Sequence, residues 1–214
     1  MQKRAAIWLT GIIAAVFGLQ TILPSVTNDF VLISAQALSR PWTLITSMFL
    51  HAGIVHLLLN GYALAVFGSV LEEIIGTPKF LTVYFIAGIV ASIAAVFAYP
   101  ATLGASGAIM GVMGALAVLR PTMTISLYYI PMPFFIAAII WVILDLFGFF
   151  TGIQGGLVQG SIANASHLAG MAIGVIAGFF LRRGLPRAVT LGAPAIGMTA
   201  DEFDRWEAEN MRKP

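Results

Sequence analysis

Long apolar runs separated by short polar breaks organise most of this chain, and the runs have the length of membrane-crossing helices. A hydrocarbon core about 30 Å thick needs roughly 20 apolar residues per helix. Six such stretches run approximately over residues 5–23, 51–72, 80–99, 107–119, 134–150 and 164–181. Pro24, Pro78, Pro100, Pro121, Pro131, Pro133 and Pro186 stand at their boundaries, where a residue with fixed φ and no amide N–H ends or begins a helix. The first stretch is as long as a full span and has no Ala-x-Ala-like exit, so it reads as a helix and not as a signal peptide. No internal repeat or low-complexity segment interrupts the pattern.

Charge sets the expected orientation. With an inside N-terminus, Lys3, Arg4, Lys79, Arg120, Arg182, Arg183 and Arg187 fall on the cytoplasmic side and only Arg40 lies outside. The positive-inside rule then places both termini in the cytoplasm. The outer segment 24–50 has an apolar middle, 31–38, too short to span; with Trp42 and Phe49 it reads as an interfacial, partly re-entrant loop. The outer loop 151–163 is rich in glycine and reads as mobile. Thr199-Ala-Asp-Glu202 has capping-box spacing, so a short charged helix is expected over 200–211. Residues 1–187 read as one membrane domain and 188–214 as a cytoplasmic tail.

Composition sharpens this. The chain of 214 residues is 59% hydrophobic and 9% charged, against about 25% charged for soluble domains. That excludes an ordinary soluble enzyme, a disordered tail protein and a nucleic-acid binder, and leaves an all-α polytopic membrane protein. Cysteine is absent, which removes disulfides and thiolate metal sites. The net charge of +2 implies no polyanionic partner.

Against so apolar a background the polar residues within spans are few, and such residues are costly and functional by default. The second stretch carries His51, His56 and Asn60; the fourth opens on Gly104-Ala105-Ser106-Gly107; the sixth opens on Asn164-Ala-Ser-His167; Asp145 lies in the fifth. His56 and Asn60 are four residues apart and share a helix face, about 8 and 14 Å below His51 at 1.5 Å per residue. His167 lies about one turn into the sixth stretch. The fourth is only roughly 20 Å long, so its start at Ser106 must be sunk below the outer surface, approached through protein or water. Three helices therefore offer polar groups at similar depth in the outer half of the membrane.

Those groups suit acyl transfer. A serine needs a base within hydrogen-bond reach, and the tetrahedral intermediate needs donors aimed at its oxyanion. Ser106 at a helix N-terminus offers its own N–H, His56 and Asn60 offer side-chain donors, and Gly104 and Gly107 permit close approach. Each feature also has a structural reading. The Gly-x-Ser-Gly run and Asn60 suit helix packing, and a lone histidine can bond a neighbouring helix. Asp145 is read as a structural bond to a nearby backbone or loop in preference to a third catalytic member. Glu72 and Glu73 are read as reaching cytoplasmic water or capping the inner end of the second helix. The joint occurrence, in order and at matching depth, favours a site.

The motifs His56-Leu-Leu-Leu-Asn60, Gly104-Ala-Ser106-Gly107 and Ala165-Ser-His167-Leu-Ala-Gly170, with Glu72 and Gly76 downstream of His56, resemble the rhomboid family of intramembrane serine proteases over roughly residues 40–183. The Gly170, Gly174, Gly178 series resembles the family's close packing of the sixth helix on the fourth. The resemblance implies a six-transmembrane-helix bundle whose short fourth helix carries the nucleophile. It implies Ser106 as nucleophile, His167 as general base in a dyad, and His56, Asn60 and the Ser106 N–H as oxyanion hole. It further implies cleavage of transmembrane protein substrates near the outer face, without metal or cofactor, with the fifth helix and its outer loop as gate.

Three departures from the family pattern stand out. The first outer loop reads Arg40-Pro41-Trp42-Thr43 where many members have Trp-Arg. Met110 stands four residues after Ser106, where many have an aromatic residue against the histidine. Asp145 falls in an Asp-Leu-Phe-Gly stretch 22 positions before His167, farther than in short bacterial members. A proteolytically inactive client-binding relative is the alternative, disfavoured by the presence of both Ser106 and His167. A channel is disfavoured because the polar groups stop in the outer half and no inverted repeat is evident. A prokaryotic cell membrane is the expected location.

Overall fold

The computed structural model describes residues 4–127, 130–151, 163–183 and 185. Among the described residues five helices are long and apolar enough to cross a membrane: α1 (Ala5–Ile22), the continuous span Ile54–Ile75, α6 (Thr77–Ala98), α8 (Phe134–Thr151) and α9 (Asn164–Arg182). A sixth apolar helix, α7 (Ser106–Leu119), is shorter. The six stretches expected from the sequence are thus helices, displaced by a few residues at their ends. The second begins at Ile54, three residues later than expected, and leaves His51 in the preceding loop. The expected tail helix, the limit of the membrane domain near 187 and most of the glycine-rich loop 151–163 lie outside the described residues.

The span Ile54–Ile75 consists of α4 (Ile54–Ala63), a π-helical turn (Leu64–Gly68) and α5 (Ser69–Ile75). The π turn lies where α1 crosses, and a Cβ on Gly68 would sit 3.0 Å from Ala6 Cβ. Near the far end of this span is Glu72, only 1% exposed. It neither reaches water nor caps its own helix. Its two carboxylate oxygens accept the Ala5 and Ala6 N–H groups at 3.1 and 3.0 Å and the Thr77 hydroxyl bonds it as well. The first turn of α1 carries unpaired N–H donors and partial positive charge, and Arg4 caps it with no side chain. One buried carboxylate thereby ties α1, α5 and the start of α6 together.

Segment 24–50 is built of short pieces. They include α2 (Pro24–Phe30), β1 (Leu32–Ile33), a 3-10 turn (Ser34–Gln36) and α3 (Thr43–Thr46). β1 pairs antiparallel with β2 (Ala101–Thr102), Leu32 opposite Thr102, which fixes this loop to the one that leads into α7. Arg40 donates to the carbonyls of Asn28 and Asp29 at the end of α2 and to Gln36 Oε1, and it lies over the Trp42 ring. A second antiparallel pair, β3 (Thr124–Leu127) with β4 (Ile130–Pro133), follows α7.

At the centre stands α7, buried on nearly every side, as expected of a helix apolar all round. It packs most closely on α9 and then on α6. Small residues make this possible. A Cβ on Gly170 would lie 2.0 Å from Gly107 O, one on Gly174 1.9 Å from Gly111 O, and one on Gly111 2.1 Å from Ala87 Cβ. Where lipid gives no hydrophobic drive for helix association, such backbone approach supplies the van der Waals contact.

Candidate active site

The N-terminal ends of α4, α7 and α9 gather at one end of the bundle, and α8 arrives there with its C-terminal half. The chain enters α7 through Gly104, whose φ of +127° is a conformation that L side chains rarely adopt. Its N–H bonds Ser47 O at 2.9 Å, and a Cβ there would strike His56 Cε1 at 2.8 Å. Ser106 follows as the first residue of α7, where backbone N–H groups have no partner within the helix. Gly107 is buried against Ala91, and a Cβ there would come within 2.5 Å of Ala91 Cβ.

His167 enters from the first turn of α9. Its Nε2 lies 2.8 Å from Ser106 Oγ, across 61 residues of sequence. On the other side of the ring, Nδ1 lies 3.1 Å from Asp145 Oδ1; the two side chains are 13% and 12% exposed. Asp145 was expected to bond backbone or loop, and instead it faces His167. With its amide oriented so that Nδ2 faces the carboxylate, Asn164 donates to Asp145 Oδ1 at 2.9 Å and accepts from the Phe149 N–H at 3.1 Å. Gly148 makes room for that amide, since a Cβ there would lie 3.2 Å from Asn164 Cγ and closer still to one of its terminal amide atoms. The Tyr99 hydroxyl accepts the Ala165 N–H at 2.9 Å, satisfying a donor in the first turn of α9.

His56 packs over Gly104, and its Nδ1 accepts the Ala52 N–H at 3.4 Å. In the neutral ring that leaves the proton on Nε2. Asn60 is buried and donates one amide N–H to His56 O at 2.9 Å, keeping its second N–H. Met110, the remaining supporting residue expected, is partly buried against the apolar core. Edge-on to His56, with ring centroids 5.0 Å apart, stands His51, 2% exposed. Gln20 holds it through both backbone groups, accepting the His51 N–H at 2.9 Å and donating to His51 O at 3.3 Å. Burial, and then the neighbouring His56 charge, lower the His51 pKa from 6.5 to about 4.

Beside Ser106 is a cavity of about 20 Å³ lined by Ser47, Ser92, Leu103, Gly107 and Ser166 among others, enough for one water molecule. Among the described residues no group of three or more His, Cys, Asp or Glu side chains could hold a metal ion. The contact of Asp145 with His167, and its support by Asn164 and Gly148, is the part of the site that the sequence did not disclose. Its signal was a carboxylate within an apolar span, which must find a partner.

Fold and site define a class: a polytopic helical membrane protein that hydrogen-bonds a serine to a histidine within its bundle. The family model described as "Rhomboid domain" matches residues 38–184, and the chain belongs to the rhomboid family. It is 37% identical over 155 residues to "Rhomboid protease GluP" of Bacillus subtilis, covering 71% of this chain and 28% of that protein. It is 30% identical over 196 residues to "Rhomboid protein 1, mitochondrial" of Saccharomyces cerevisiae, covering 84% and 54%. "Rhomboid protease GlpG" of Haemophilus influenzae is 27% identical over 142 residues, covering 66% and 70%. The chain thus spans little more than a quarter of the first of these relatives and about half of the second.

Proposed function

We propose that the protein is an intramembrane serine protease that cleaves single-pass transmembrane proteins near the outer membrane face. The observation that carries this reading is the 2.8 Å contact between His167 Nε2 and Ser106 Oγ, in a chain whose relatives include proteins named as proteases. Ser106 Oγ attacks the scissile carbonyl carbon as its proton passes to His167 Nε2. The resulting oxyanion is held by the Ser106 N–H, the His56 Nε2–H and the free Asn60 amide N–H. Collapse of the tetrahedral intermediate breaks the C–N bond, and His167 returns the proton to the leaving amine. Water, deprotonated by His167, then hydrolyses the acyl-enzyme and regenerates Ser106. Loss of one oxyanion donor of this kind costs about 100- to 1000-fold in kcat.

Residues 1–187 form the membrane domain in this reading and 188–214 a cytoplasmic tail. Both termini face the cytoplasm of a prokaryotic inner membrane, as the distribution of Lys and Arg favours. The test is cleavage of a single-pass transmembrane peptide in proteoliposomes. Wild-type protein is expected to cleave it and to react with a fluorophosphonate; Ser106→Ala and His167→Ala are expected to fold and do neither. Cleavage by Ser106→Ala at the wild-type rate would overturn the reading, and an inert wild type would favour the client-binding alternative.

A further inference from the structure

We infer that Asp145 is a positioning residue for His167, so that this site works as a Ser106–His167–Asp145 triad in which the carboxylate fixes the imidazole tautomer. The inference rests on the protease reading and adds a third member to the two-residue site stated above.

The argument starts from donor and acceptor capacity. An ionised carboxylate only accepts hydrogen bonds, and a neutral imidazole has one donor nitrogen and one acceptor nitrogen. With Asp145 Oδ1 at 3.1 Å from Nδ1, the proton belongs on Nδ1. Nε2 is then the bare acceptor that faces Ser106 Oγ at 2.8 Å. The opposite tautomer would place a proton between Nε2 and Oγ and leave His167 without a lone pair to take the serine proton.

The carboxylate is itself held. Asp145 is only 9% exposed, and Asn164 bridges it to the backbone, donating to Oδ1 at 2.9 Å while accepting from the Phe149 N–H at 3.1 Å. Asp145, Gly148 and Phe149 lie on one face of α8 at i, i+3 and i+4. Gly148 is the position at which any side chain would displace Asn164. This arrangement orients the carboxylate as a general base is oriented by a third group in other hydrolases. When His167 takes the serine proton, the imidazolium forms beside a fixed negative charge in a water-poor site, where such pairing is worth more than in bulk water. The proton moves between Ser106, His167, the leaving amine and water, and Asp145 serves only to orient the imidazole.

Two measurements test this. In proteoliposomes with a single-pass transmembrane peptide as substrate, Asp145→Leu removes charge and acceptor while keeping an apolar filling of similar size. Its kcat is expected to fall by about 100-fold or more, with KM within threefold of wild type and the thermal transition retained. A fall in kcat of less than tenfold overturns the proposal. The second measurement needs no cleavage. The chain has 3 histidines, so ¹⁵N-histidine spectra of Ser106→Ala protein in micelles resolve His167 once His51 and His56 are assigned by single replacement. Neutral His167 is expected with Nδ1 protonated; protonation at Nε2 overturns the proposal even if Asp145→Leu fails to fold. Failure of the protease reading is separately visible, as absence of a difference in cleavage between wild type and Ser106→Ala.

Discussion

Replacing Gly170 by alanine tests whether the helix seam sets the distance between Ser106 and His167. The new Cβ would lie 2.0 Å from Gly107 O and 2.9 Å from Gly107 C. Both are backbone atoms of α7, so no side-chain rotation relieves the clash. Reaching the 3.4 Å at which ordinary contact begins requires the two helices to part locally by about 1.4 Å. Gly107 adjoins Ser106 and Gly170 lies one turn beyond His167, so the wedge opens almost directly at the site. The Ser106–His167 contact, now 2.8 Å, would stretch toward 4 Å, past the range of a hydrogen bond. Overpacking of this kind costs about 1–3 kcal/mol, and a displacement near 1 Å can cost about 100-fold in rate. Unfolding in mixed micelles measures the first and proteoliposome cleavage the second. Gly11→Ala is the control, since nothing lies within 4 Å of its Cβ; stability there should hold or rise by up to about 1 kcal/mol. Gly170→Ala protein with wild-type stability and cleavage within threefold would refute the argument.

Other outcomes follow from the same geometry. Glu72→Gln should cost about 1.5–3 kcal/mol, the range for a buried hydrogen bond to a charged group, with loss of amide-exchange protection at Ala5 and Ala6 before the rest of the bundle. Gly104→Ala should cost about 1–3 kcal/mol of stability through strain at φ +127° and depress kcat at least tenfold, because the new Cβ also meets His56, the proposed oxyanion donor; kinetics at saturating substrate separate this from a binding defect. His51 contributes a pH-dependent term. Its folded pKa of about 4 lies below the ordinary 6.5, so the unfolded chain binds its proton first. Its contribution is complete above pH 6.5 and is lost as pH falls toward 4, up to about 3 kcal/mol. Unfolding free energies of wild type and His51→Phe between pH 7 and 4 should converge by that amount.

What could be read from the sequence followed from lengths and periods. A span announces itself by a run of apolar residues, and α7 stood apart by being too short to cross. The meeting of His56, Ser106 and His167 was legible because depth along a helix is proportional to residue count. The contact between Asp145 and His167 was not: it depends on how α8 leans against α9, which no local pattern encodes. Nor was the pairing of Leu32 with Thr102, formed by two-residue strands too short to carry an alternation. Glu72 misled for a related reason. A carboxylate near a helix end resembles a solvent-facing group until another helix's unpaired amides are brought to it.

The π turn at Leu64–Gly68 has a consequence for how this protein tolerates change. It fits one extra residue into the span between Asn60 and Glu72, and one residue corresponds to about 100° of helical phase. Upstream, that phase aims His56 at Gly104, where the chain enters α7; downstream, it aims Glu72 at the start of α1. The span is thus a shaft with two keyed ends set to different partners. Removing a single residue from the π turn would restore regular helix and put the two keys out of step, so that either the site or the anchor of α1 must be surrendered. Substitutions there leave the phase alone; a deletion resets it.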